Sequence, residues 1–201
     1  SQKPNGELFL EQEIVELVRN FERADFQNVI TQAKLVLDAH PRSSIVLNIL
    51  AAAYSSLGEF LKSEETYKEA IQITPNNSTL YNNLAVCYRK QEKYDLARDA
   101  LMSAVNISPH YPEAYNNLGN VYLAEGNYKD ALIQFKIAVS LDGDFIEALK
   151  SISKIYFDQG DLKEALNITN QVLNLQPGEL ASKVVRGDIY RALKDFDRAK
   201  A

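Results

Sequence analysis

Two histidines and one cysteine are the side chains best suited to ligate a transition metal, and their spacing makes no site. His40 and His110 lie seventy residues apart, each beside a proline, and Cys87 stands alone between them. A zinc site needs three or four such ligands brought together by close, paired spacing. Single histidines beside helix-ending prolines read as caps, because a helix C-terminus favours a cation. Cys87 reads as a buried small hydrophobe. The chain contains neither a Gly-rich phosphate loop nor a Gly-x-Ser-x-Gly elbow. Acid pairs such as Glu64-Glu65 read as solvated helix surface. With no convergent acid, base or nucleophile, the chain is predicted not to be an enzyme and to need no metal or cofactor. The chemistry that does recur is that of the primary amide. Asn48, Asn82 and Asn116 stand 34 residues apart, and Asn83 and Asn117 follow two of them directly. An amide has two donors and an acceptor, so a row of them can pair with the main chain of an extended peptide whatever its sequence.

The elements that must position these amides are set by the same period. Pro41, Pro75, Pro109 and Pro177 fall on one 34-residue lattice, with Gly143 in the skipped slot. Either residue ends a helix, Pro by lacking an N–H and Gly by its backbone freedom. Tyr54, Tyr88, Tyr122, Tyr156 and Tyr190 form a second lattice. Phe60, Tyr94, Tyr128, Leu162 and Phe196 form a third. Within residues 112–145, Tyr115, Leu118, Gly119 and Tyr122 share one helical face. Gly126-Asn127 makes a turn, and Tyr128, Ala131, Phe135 and Ala138 form the face of a second helix. Gly119 and Ala131 lack bulk where two helix backbones must approach. Neither helix buries its stripe alone, so neighbouring units must stack.

The spacing Tyr115-x2-Leu118-Gly119-x2-Tyr122, followed by Ala131-x3-Phe135-x2-Ala138, resembles the tetratricopeptide repeat family. The resemblance covers nearly the whole chain, and among family members it is nearest to bacterial arrays. It implies an all-α, right-handed α-solenoid, a superhelix of helix-turn-helix repeats. The expected repeats are 11–43, 44–77, 78–111, 112–145 and 146–179, after a lead-in at 1–10 and before an incomplete sixth repeat at 180–201. In the first repeat the strict lattice puts Glu13, Glu16 and Asn20 in the core. A one-residue shift puts Ile14, Leu17, Val18 and Phe21 there instead, shortens the Ala24-Asp25 turn by one residue, and removes an apolar patch from the open face. The last repeat stops just inside its second helix, so the natural protein is expected to continue, and the last ten residues are expected to be poorly ordered or packed on a second copy.

In this family the face of helix A opposite the core lines a concave groove, and here that face carries Asn48, Asn82, Asn83, Arg89, Asn116, Asn117, Asn120, Lys150 and Lys154. The row resembles the asparagine ladder of the O-linked N-acetylglucosamine transferases, shortened by Ile49 and Ser151. Lys150 and Lys154, four apart, suit an acidic group beyond the amides. The chaperone-clamping pattern is not met: starting at the third repeat, its slots hold Asn82 and Val86, then Asn117, then Glu147 and Ser151. The bland reading of the row is that the amides bond across to the next repeat.

Composition narrows the partners. The net charge of -5 offers no broad basic surface for nucleic acid. No apolar run reaches the roughly 18 residues that span a bilayer, and a single cysteine fits a reducing, cytoplasmic setting. The expected function is a scaffold holding a protein or extended peptide in the groove. The alternative is the non-catalytic front region of a larger enzyme, such as a glycosyltransferase or sulfotransferase. Self-association through the incomplete sixth repeat is a further expected partner contact.

Overall fold

The computed structural model describes the backbone of residues 5–200 and the side chains of residues 10–194. The described residues are all-α, with eleven helices packed in sequential pairs. In chain order they are α1 (Asn5–Glu22), α2 (Phe26–Ala39), α3 (Ser44–Ser56), α4 (Phe60–Ile73), α5 (Ser78–Lys90), α6 (Tyr94–Ile107), α7 (Pro112–Ala124), α8 (Tyr128–Leu141), α9 (Ile146–Gln159), α10 (Leu162–Leu175) and α11 (Leu180–Lys200). The chain divides into two compact units, Ser1–Pro109 and His110–Ala201. In the first unit each helix packs on the next, and α1 also touches α3, as α3 touches α5. In the second unit α7 packs on α8, α8 on α9, α9 on α10 and α10 on α11.

One turn is repeated five times. Ala24, Gly58, Glu92, Gly126 and Gly160 all adopt positive φ, between 58° and 83°. The next residue then donates its N–H to a carbonyl five residues back: Asp25 to Asn20, Glu59 to Tyr54, Lys93 to Tyr88, Asn127 to Tyr122 and Asp161 to Tyr156, all at 2.8–3.0 Å. This pattern satisfies carbonyls that the helix end leaves open. It also shows why helix A must end where it does, one turn after the lattice tyrosine.

The first repeat obeys the same rule, which corrects the one-residue shift. Its turn through Ala24 is as long as the others. Asn20 occupies the tyrosine slot and is 6% exposed, while Val18 is 41% exposed. Burying Asn20 is tolerable because its Nδ2 donates to Gln32 Oε1 at 3.1 Å. Leu17 is buried, and Ile14 and Phe21 pack against the same core from partly exposed positions. α1 also begins at Asn5, inside the stretch read as a lead-in.

α11 differs at the other end. It runs unbroken from Leu180 to Lys200, where the lattice places a turn before Phe196. The positive-φ slot holds Lys194, and left-handed φ costs a non-glycine residue about 1–2 kcal/mol. At Ala24 and Glu92 that cost is offset by the burial in the helix each turn begins. Helix α2 buries Val29, Ile30 and Ala33, and α6 buries Ala97 and Leu101. The side chain of Phe196 and those of most of the last ten residues lie outside the described residues.

The core is a row of matched slots, one on each helix of a pair. The residues are Leu17 and Ala33, Ala51 and Tyr67, Ala85 and Leu101, Gly119 and Phe135, and Ser153 and Thr169, all of them buried. In the first four pairs a small residue stands opposite a large one. A Cβ added at Gly119 would lie 2.7–2.9 Å from three ring carbons of Phe135. The fifth pair is polar and self-satisfied: Ser153 Oγ and Thr169 Oγ1 are 2.6 Å apart, and both reach the Ala165 carbonyl. Ala131, Phe135 and Ala138 of the expected α8 face are fully buried, but Tyr128 is 47% exposed.

Candidate functional site

In the first unit, α1, α3 and α5 lie side by side and present the helix-A face on which the amides fall. Asn83 Nδ2 donates to Asn48 Oδ1 at 3.0 Å, linking the second repeat to the third. Asn82 Nδ2 donates to Asn83 Oδ1 at 3.3 Å, and Asn82 itself is 6% exposed. Asn48 and Asn83 are half-buried. These three amides therefore form a cross-repeat chain of hydrogen bonds, and of its members only Asn48 and Asn83 are partly open to solvent. Arg89 is half-buried, and its Nε is buried without a hydrogen-bond partner.

The same face carries apolar surface. Val15, Val18 and Ile45 are 56%, 41% and 56% exposed. The patch that the shifted reading removed is thus present, because α1 keeps the strict lattice. Beside it lies a cleft of about 310 Å³ lined by Phe21 of α1, Ala52, Ser55 and Ser56 of α3, Tyr67 of α4, and Asn83, Val86 and Lys90 of α5. Lys90 Nζ is 3.5 Å from Ser55 Oγ. Sequence reasoning missed this cleft. Its only signal was Tyr67, a tyrosine in the slot where the fourth repeat has Phe135.

Away from this face, Glu64 ties the second repeat to the third. Its carboxylate accepts from Lys68 Nζ at 2.7 Å, Lys93 Nζ at 3.1 Å and the Tyr88 hydroxyl at 3.3 Å. Burial opposes its ionisation, but the hydrogen bonds from Lys68 and Lys93 outweigh it and hold the carboxyl below its usual range.

In the second unit, Asn116, Asn117 and Asn120 are half-buried on α7, and Asn116 Oδ1 is buried without a hydrogen-bond partner. Lys150 and Lys154 of α9 are exposed, but each holds a carboxylate of its own chain. Lys150 Nζ lies 3.0 Å from Glu179, and Lys154 Nζ 3.0 Å from Asp158. Exposed pairs of this kind contribute little and exchange readily. The two lysines flank a cleft of about 160 Å³ whose lining includes the Ser153–Thr169 pair and Val185.

Glu179 anchors the start of α11. The Ser182 hydroxyl and N–H both donate to its carboxylate, and Lys150 adds a third contact, holding its pKa down to about 2. A carboxyl depressed in the folded state stabilises above its unfolded value of about 4.3, and that contribution disappears as pH falls toward the folded value. Glu179→Gln is therefore expected to lower the thermal midpoint at neutral pH. The gap from the parent protein should close between about pH 4 and pH 2. A gap that stays constant across that range would show that the carboxylate does not anchor the helix.

Among the described residues, no group of three or more His, Cys, Asp or Glu side chains is placed to hold a metal ion. None of the described helices is long and apolar enough to cross a membrane. Cys87 is buried and unpaired in a disulfide, and His40 is the C-terminal cap of α2.

A 34-residue period, paired helices and one turn geometry repeated five times define a helix-pair repeat protein. Models of the tetratricopeptide repeat match residues 46–77 and 76–144. The chain is a tetratricopeptide repeat protein, a family whose members generally serve as protein-interaction scaffolds. Solved structures agree on the fold. MamA is 26% identical with a TM-score of 0.68, over 79% of this chain and 93% of that one. PilF of Pseudomonas aeruginosa is 17% identical with a TM-score of 0.82, over 95% and 87%. YrrB, described as a TPR protein with an unusual peptide-binding site, is 17% identical with a TM-score of 0.64, over 87% and 90%. No curated protein sequence matches the chain.

Proposed function

We propose that the chain is a non-catalytic scaffold that holds an extended segment of another protein on the exposed faces of its A helices. The observation that carries this reading is the face of α1, α3 and α5. It combines partly exposed amides, exposed apolar side chains and an open cleft. Polar groups converging beside apolar surface are what a peptide site requires. The likeness to YrrB supports a peptide as the occupant, through the fold alone.

The amides divide into two kinds. Asn82 is buried and spent on the protein, so it contributes through structure. Asn48 and Asn83, with Arg89, remain the proposed contacts of the first unit, and Asn116, Asn117 and Asn120, with Lys150 and Lys154, those of the second. Asn116 gives the sharpest test. Its buried acceptor lacks a donor, and such a group costs the free protein about 1–3 kcal/mol. A peptide N–H would satisfy it. Asn116→Ala is expected to leave the denaturation midpoint unchanged or higher, while weakening binding of display-selected peptides several-fold in titration calorimetry. Lower stability with equal affinity would return Asn116 to a structural role.

A further inference from the structure

The cleft of the first unit is built for more than a peptide main chain. Tyr67 is 3% exposed, yet its hydroxyl makes no hydrogen bond within the described residues. Its ring fills the slot that Phe135 fills in the fourth repeat, where a plain phenyl is fully buried. The ring therefore accounts for the core, and the hydroxyl is an extra donor on a residue that lines the cleft. Lys90 stands in the same lining with no carboxylate partner among the described residues, and Ser55 Oγ lies 3.5 Å from its Nζ. Ser55, Ser56 and Asn83 add neutral polar groups. Unspent donors and one unneutralised ammonium around a single cleft call for an anionic acceptor. The rest of the lining is apolar, with Phe21, Ala52 and Val86. Val18 lies one helical turn before Phe21 and is 41% exposed.

We propose that this cleft takes the carboxylate of a glutamate side chain from an extended partner segment crossing α1, α3 and α5, with an apolar neighbour of that glutamate seated on Val18 and Phe21. The inference rests on the peptide-binding reading and names its specificity. A glutamate fits because its carboxylate can accept from the Tyr67 hydroxyl and the Lys90 ammonium, two donors that line the cleft. The cleft opens on a face shared by three helices, so the main chain can pass across it while the side chain enters. One ammonium with neutral donors balances one negative charge, whereas a phosphate would bring closer to two. Burial pushes the Tyr67 phenol up, so it remains a donor at neutral pH.

The test pans phage-displayed random peptides on the whole chain. Selected peptides are then synthesised with amidated C-termini and titrated by calorimetry. The expected result is a recurring glutamate beside an apolar residue. Glu→Gln in the peptide should weaken binding about tenfold, as for loss of a charge-assisted hydrogen bond. Tyr67→Phe and Lys90→Gln should each weaken the glutamate peptide several-fold and leave the Gln peptide unchanged. Tyr67→Phe keeps the ring that the fold needs, and an unchanged melting curve verifies it. Selected peptides that are neutral, indifferent to Tyr67→Phe, or dependent on a free C-terminal carboxylate would overturn the glutamate site while leaving peptide binding intact. Failure to select any binding peptide would overturn both readings.

Discussion

Phe135→Ala is expected to be among the most damaging single substitutions in the second unit, at about 3–5 kcal/mol. The ring is fully buried in a cluster with Ala131 and Ala138 of its own helix and Ala148, Ile152 and Ile155 of α9. It therefore joins the fourth repeat to the fifth as well as closing its own helix pair. Removing it takes away the transfer energy of a phenyl group and leaves a cavity, because α7, α8 and α9 are held by other contacts and collapse only in part. In a repeat stack the loss should also uncouple neighbours, since stability resides in the interfaces between repeats. Chemical denaturation should show a lower midpoint and a broader transition. A midpoint within experimental error of the parent would mean that the slot is not packed as described.

Gly119→Leu should fail for the opposite reason. Even a single Cβ at this position meets the Phe135 ring at 2.7 Å. The ring is fully buried, so either it or the two helices must shift. Overpacking of this kind costs on the order of 1–3 kcal/mol, and more where the backbone cannot shift. The two substitutions are coupled, and the chain itself shows how. The first repeat carries Leu17 opposite Ala33 in these same two slots, both buried. Gly119→Leu combined with Phe135→Ala transplants that pair into the fourth repeat. The double variant is expected to be more stable than either single variant, with the new leucine filling the cavity left by the ring. Strictly additive losses in this double-mutant cycle would show that the slots do not share one space.

The sequence by itself determined the repeat. Tyrosines, helix-ending prolines and the large apolar residues from Phe60 to Phe196 kept one period of 34, and that period requires paired helices whose stripes are buried only by stacking. It also located Gly119, because a glycine in the middle of an amphipathic helix is costly unless a partner needs the space. The amide row was legible as a set of positions on one face. Its division was not: Asn82 is buried in the row and Asn83 bonds across to Asn48, and rotation about a helix axis by a few tens of degrees decides such things. The first repeat was misread for a related reason. Apolarity alone favoured Val18 over Asn20, but the turn at Ala24 fixes the end of α1, and Gln32 satisfies the amide that the turn forces inward. The lysines were legible as a charged pair, while their carboxylate partners, Glu179 and Asp158, were not assigned to them. The cleft at Tyr67 is the clearest case of a feature that only tertiary structure decided. Its lining runs from Phe21 to Lys90 and comes from four helices, and no local pattern records that a tyrosine on one helix and a lysine on another line one cleft. Periodicity reports which face of each helix is buried. The distances between groups on different helices are set by how side chains of unequal size fill the slots between them.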